Sequence, residues 1–257
     1  KGCSMLVARR PPFWCAPMRF TAAQTAGQVD GAAVFAAARA DVALLALHTN
    51  VDCAPAAYQL LLEMIGLNFL RPLQPEINLL GQIAEPGEAT AIELEALACK
   101  CQQAFGQVYS VWGSPSKPIK TIAICSGGAS EVLPSVIKVK PDCFITGELA
   151  HHEHLYLADA DIALIELGHD LSELPYCSLF ISTLKAAGVA EDLIEMIKPS
   201  ATWWTPSNQQ NETIFDPFPR QVTSNPLRNV HADLAPRQVT LLTDQSDKQS
   251  TKGRSLE

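Results

Sequence analysis

Apolar residues along this chain gather into short runs divided by polar turns. The runs alternate with stretches of helical period. Residues 4–8, 42–47, 108–111, 119–125, 142–146 and 162–167 have the length of strands, and the runs at 42–47 and 162–167 read as buried ones. Residues 27–40 are rich in alanine and read as a helix. Residues 55–65 carry Ala57, Leu60, Leu61, Met64 and Ile65 on one face, with Gly66 placed as a C-cap. Ile92, Leu94, Leu97 and Ala98 recur at helical spacing across 91–105, and 132–137 and 175–197 also read as helical, the last interrupted at Gly188. Residues 68–90 hold three prolines and two short apolar runs. Past about residue 207 the chain turns polar, with 239–242 its only apolar run, and such a composition predicts disorder. The pattern predicts an α/β domain over residues 1–200 and a polar, disordered tail over 207–257.

Two of the apolar runs end in chemistry. The run at 162–167 is broken by Gly168 and followed by His169 and Glu173. The run at 42–47 is followed by His48 and Asp52. Open α/β sheets place their sites at the carboxyl ends of strands. On a helix after Gly168, His169 and Glu173 share one face, and a His nitrogen with a carboxylate oxygen suits zinc, iron, manganese or nickel. The plainer reading is an ordinary helix start, with Ser172 as cap and Glu173 favoured by the helix dipole. Two such endings together point to one cleft at one edge of a sheet.

Other polar clusters say less. Residues 126–130, Ser-Gly-Gly-Ala-Ser, form a Gly-rich turn after a strand, but they match neither a dinucleotide-binding nor a Walker pattern. In His151-His152-Glu153-His154, a helix turns adjacent side chains about 100° apart, so only His151 and His154 suit a shared ion. Cys99 and Cys101, two apart on a helix, point away from each other.

Composition narrows the function. The formal net charge is −8 and no basic stripe is present, which argues against direct nucleic-acid binding through phosphates. No apolar run reaches the length of a membrane span. The eight cysteines form no Cys-x-x-Cys pair, and without a secretory signal they read as reduced thiols in a cytoplasmic protein.

Four motifs then occur in order: His-Thr-Asn-Val-Asp at 48–52, Cys-Ser-Gly-Gly-Ala-Ser at 125–130, Ile-Thr-Gly-Glu at 145–148 and Gly-His-Asp-Leu-Ser-Glu at 168–173. This set resembles the NIF-three-like family of dinuclear metal centre proteins, often named type 2 GTP cyclohydrolase I, over about residues 6–200. The resemblance implies mixed sheets flanked by helices, with an edge strand or loop within 68–90. It also implies a homo-oligomer and a metal-dependent hydrolase acting on a purine nucleotide. Asp52, His169 and Glu173 would ligate one or two divalent ions, and His48 and Glu173 would be catalytic. Gly127, Gly128, Glu148 and His152 would border the substrate, leaving His151, Glu153 and His154 as solvated helix positions.

One departure stands out against the family. It places a histidine pair, at least one of them a metal ligand, where this chain has Arg9 and Arg10. An arginine carries permanent charge and offers no lone pair. The pair reads as a solvated loop, or less simply as an anion clamp. At most one ion is then expected, and the centre is degenerate. The family also has elements ahead of residue 4, so the chain reads as N-terminally incomplete. The alternative to a hydrolase is a non-catalytic, oligomeric interaction or regulatory protein.

Overall fold

A computed structural model describes residues 2–11, 31–76, 79–88, 90–197 and 238–242. The chain begins with β1 (Cys3–Ala8), α1 (Ala32–Arg39), β2 (Ala43–Ala46), the short α2 (Thr49–Asp52) and α3 (Pro55–Ile65). The hairpin β3 (Leu67–Pro72) and β4 (Gln82–Pro86) follows, then β5 (Ile92–Glu93), α4 (Leu94–Phe105), β6 (Ser110–Trp112) and β7 (Pro118–Ile119). A regular alternation comes next: β8 (Ile122–Gly128), α5 (Leu133–Val139), β9 (Cys143–Glu148), α6 (His151–Asp159), β10 (Ala163–Glu166), α7 (His169–Glu173) and α8 (Tyr176–Ala186). The last strands are β11 (Ile194–Ile197) and β12 (Gln238–Leu242).

The larger sheet is mixed, with strand order β3-β4-β8-β9-β10-β6. Its centre, β8-β9-β10, is parallel, and β3, β4 and β6 add antiparallel edges. Both faces of the centre are covered. Ile122, Ile124, Cys143, Ile145, Ala163 and Ile165 join a core with Leu61, Leu62, Leu97, Phe105 and Phe180 of α3, α4 and α8. The alternate residues Ala123, Cys125, Phe144 and Leu164 join a second core with Leu133, Val136 and Leu157 of α5 and α6. Strands buried on both faces carry mostly apolar side chains on both, which is why they read as near-continuous runs, with Thr146 and Glu166 the buried polar residues near their carboxyl ends. Gly66, at φ +75°, ends α3 in the left-handed conformation expected of a C-cap.

A second sheet, β11-β12-β1-β2, is wholly parallel. Here the structure departs from the pattern in two places. The run at 42–47 does form a strand, but an exposed one: β2 lies at the sheet edge with Leu44 and Leu45 38% and 42% accessible. Residues 194–197, read as helix, pair instead with β12, Ile194 to Val239 through Ile197 to Leu242. Periodicity sees only local sequence, and a strand partner some forty residues away overrides it. That partner comes from the stretch read as a disordered tail, the rest of which lies outside the described residues, as do residues 27–30 of the first helix and 77–78 of an apolar run.

The two sheets meet through a shared core that includes Val7 of β1 and Val51 of α2. The segments following β1, β2, β9 and β10, together with the last residues of β8, converge on one place.

Candidate functional site

Each sheet delivers polar groups where its strands end. Arg9 and Arg10 follow β1, and His48 and Asp52 follow β2 through α2. From the larger sheet come Ser126 and Gly127 at the end of β8, Glu148 at the end of β9, and His169 and Glu173 on α7 after β10. Gly168, at φ +90°, makes the turn from β10 into α7. The four-residue spacing then brings His169 Nε2 within 3.4 Å of Glu173 Oε1.

Arg9 organises the centre. It is 3% exposed, so the solvated-loop reading of this residue is corrected. Its Nη2 donates to both oxygens of Asp52, at 2.7 and 2.6 Å, and lies 3.1 Å from Glu173 Oε1. Its guanidinium stacks over the buried ring of Tyr176, 5.5 Å from the centroid. Ser126 closes the network, donating its hydroxyl to Asp52 Oδ1 at 2.8 Å and lying 2.9 Å from the Tyr176 hydroxyl. Burial pushes the Tyr176 phenol well above its ordinary value, and the Asp52 carboxylate adds to this. Burial also raises the Glu173 carboxyl, although Arg9, His169 and Arg10 pull it back down.

Arg10 lies against the imidazole of His169, its Nη2 on Nε2. Glu148 Oε1 is 3.0 Å from Nδ1 on the other side of the ring. The Nδ1–H tautomer satisfies both contacts: Nδ1–H donates to Glu148, and the Nε2 lone pair accepts from Arg10. The Glu148 side chain is 44% exposed and marks the open rim. His48 is half-buried. Burial lowers its pKa first, then the Arg9 and Arg10 charges, so its imidazole is neutral at pH 7.

The floor is made of close-packed glycines. The Gly127 N–H donates to Ser172 Oγ at 2.8 Å, and that hydroxyl donates to the His169 carbonyl at 2.7 Å. Ser172 therefore ties α7 to β8 rather than capping the helix, and the Gly127 N–H is turned away from any anion. A Cβ at Gly127 would stand 2.6 Å from Glu173 Oε1. One at Gly147 would stand 2.5 Å from the Gly127 carbonyl oxygen. Gly147→Ala must move backbone, and is expected to lower stability by about 1–3 kcal/mol in a denaturant melt. An unchanged midpoint would show that the two strand ends are not packed this closely.

Asp52, His169, Glu173, Glu148, Gly127 and Gly128 thus share one centre, with His48 beside it. His152 does not join it: its side chain is exposed on α6, with its ring 5.8 Å from that of Tyr156. The expected solvation of Glu153 and His154 is also corrected, because both are buried. Glu153 accepts from Ser130 Oγ at 2.9 Å and from the Ala150 N–H at 2.7 Å, and His154 Nε2 lies 2.9 Å from Glu166 Oε1. Cys99 is exposed and Cys101 buried, pointing apart as their spacing predicts. Sequence reasoning missed Ser126 and Tyr176. Ser126 stood inside a recognised motif, whereas nothing local marks Tyr176.

A metal ion does not fit this donor set. Arg9 takes both oxygens of Asp52 and Oε1 of Glu173, and Arg10 takes the lone pair of His169. An incoming ion would have to displace two guanidinium groups and stand beside their charge. Among the described residues, no group of three or more His, Cys, Asp or Glu is arranged to hold one.

Comparison with known proteins places the fold. The model of a family described as Duf34/NIF3 (NGG1p interacting factor 3) matches residues 1–200. A Streptomyces coelicolor protein named GTP cyclohydrolase 1 type 2 homolog is 27% identical over 234 residues, covering 88% of this chain and 77% of that one. NIF3-like protein 1 of Drosophila melanogaster is 25% identical over 195 residues, 72% of this chain and 63% of its own length. Among solved structures, protein ybgI, of unknown function, superimposes with a TM-score of 0.58 at 16% identity, over 72% of this chain and 81% of that one. At that identity the likeness is one of fold. No helix among the described residues is long and apolar enough to cross a membrane.

Proposed function

The chain belongs to the Duf34/NIF3 family, and from that premise we propose that it is a non-catalytic, self-associating interaction protein built on the family fold. The observation that carries this reading is the buried Arg9 guanidinium, which bridges Asp52 and Glu173. Carboxylates neutralised by a fixed cation are unavailable for metal-assisted hydrolysis. Self-association is supported by apolar side chains left in water along sheet edges. Leu44 and Leu45 lie on β2, Phe69 and Leu70 on β3, and Val111 on β6. Unpaired strand edges with exposed apolar residues are ready to pair with another chain.

A second reading is a metal-dependent hydrolase acting on a purine nucleotide. It is favoured by the convergence of Asp52, His169 and Glu173, and by the name of the Streptomyces relative. Under that reading a divalent zinc, iron, manganese or nickel ion displaces the arginines, and Gly127, Gly128 and Glu148 border the nucleotide.

The two readings part in one experiment. The purified chain is incubated with GTP in the presence of each of the four metals, and its mass in solution is measured by light scattering. The expected result is an oligomer with no turnover above the metal-only blank. Turnover that needs added metal and is lost in Asp52→Asn would establish the hydrolase instead.

A further inference from the structure

Arg9 and Arg10 bring two fixed positive charges to a centre that also holds Asp52, Glu173, Glu148 and His169. A single nitrogen of Arg9 bridges two carboxylates on helices that follow strands of different sheets, as a bound cation would. Arg10 meets the nitrogen that His169 would offer to an ion. The site walls hold this arrangement in place: Tyr176 packs under Arg9, and Ser126 fixes Asp52. We infer that the two guanidinium groups stand in for metal ions, and that Asp52, Glu173 and His169 form a latent nitrogen–oxygen ligand set for a divalent cation, masked by Arg9 and Arg10.

The argument is one of charge and donors. Taking a carboxylate out of water is unfavourable unless a cation or hydrogen bonds meet it. Asp52 and Glu173 have side chains only 10% exposed, so they need compensating partners whether or not the chain binds metal, and Arg9 is the cation that meets both. A guanidinium supplies that charge permanently, and the centre then does not depend on metal supply. What it gives up is an open coordination position. Replacing both arginines by histidine removes the fixed charge and adds two neutral nitrogens. The set becomes three imidazoles and two carboxylates, the chemistry that borderline divalent ions select.

This inference rests on the metal-free reading of the site, but its test reads metal uptake and not turnover. The full chain and its Arg9→His/Arg10→His variant are each titrated with Co2+, then desalted. Bound cobalt is followed by elemental analysis and by visible absorption, which separates thiolate from nitrogen–oxygen ligation. The wild type is expected to retain no cobalt that depends on Asp52. The double variant is expected to retain about one ion per chain without a thiolate band, and to lose it when Asp52→Asn is added. Where the variant does not fold alone, it is refolded with Co2+ present. Cobalt uptake by the wild type that Asp52→Asn abolishes would overturn the inference. So would a double variant that takes up none under either condition. Metal-free GTP turnover by the wild type would defeat the proposed function and leave this inference standing.

Discussion

Replacing Arg9 with Met is expected to destabilise the fold by about 3–5 kcal/mol, the range for leaving buried charge without its partner. Met keeps much of the aliphatic stem over Tyr176 and removes the guanidinium, so the loss reports on charge more than on volume. Asp52 and Glu173 would then face each other with no cation between them. The pH dependence carries the sign. Burial already raises the Glu173 carboxyl, and Arg9 is the first group holding it down. Without Arg9 its folded-state pKa rises further above the unfolded value of about 4.3. A group raised in this way favours folding below its unfolded pKa, and that contribution is lost as pH rises through the folded value. The gap between wild type and Arg9→Met in urea midpoint is therefore expected to be wide at pH 8 and to narrow toward pH 5. In the same series Glu173→Gln should shift the midpoint far less, because Asp52 keeps both oxygens on Arg9. A loss that is the same at both pH values would mean that Arg9 acts through packing alone.

The contrast between Arg9 and the residues around it shows what sequence can carry. Asp52, His169 and Glu173 were legible because each follows an apolar run, and the topology of parallel strands gathers such endings. The central strands were legible for the same reason: burial on both faces writes itself as near-continuous apolar sequence. Arg9 was misread because a charged pair before two prolines looks solvated. Only the neighbouring strand β2, which leads to Asp52, and the larger sheet, which leads to Glu173, make a buried site for it, with both carboxylates within 3.1 Å of its Nη2. The strand at 194–197 was misread because its partner lies beyond a long connection. The histidines at 151–154 mark a similar limit. Helical spacing separates their directions, but which direction is buried depends on α6 packing against β10 and on Trp112 of β6, whose ring lies 4.8 Å from that of His154.

Glu166→Ala is the second large effect, again about 3–5 kcal/mol, and it concerns a carboxylate hidden inside an apolar run. Glu166 ends β10 and is 3% exposed. Its Oε2 accepts from the Ser110 hydroxyl at 2.6 Å, and its Oε1 accepts from the Leu149 N–H at 3.0 Å and meets His154 Nε2 at 2.9 Å. These partners belong to β6, to the turn after β9 and to α6, so one side chain pins three elements at the sheet end that carries the site. Alanine takes the acceptor away from the half-buried Ser110 hydroxyl and Leu149 N–H and from the buried His154, and Ser110 Oγ in turn accepts the indole N–H of Trp112. Glu166→Gln separates the contributions. It preserves shape and one acceptor oxygen but places an NH2 group against a donor, so it is expected to recover only part of the loss. Urea midpoints of the two variants, with near-UV circular dichroism to report on aromatic packing, test this. A loss below about 1 kcal/mol in Glu166→Ala would mean that water replaces the carboxylate, and that the carboxyl end of β10 is held by its strand neighbours alone. A large loss with Arg9 still buried would show that this anchor and the Arg9 centre are independent supports of the same cleft, one holding its helices and the other its charge.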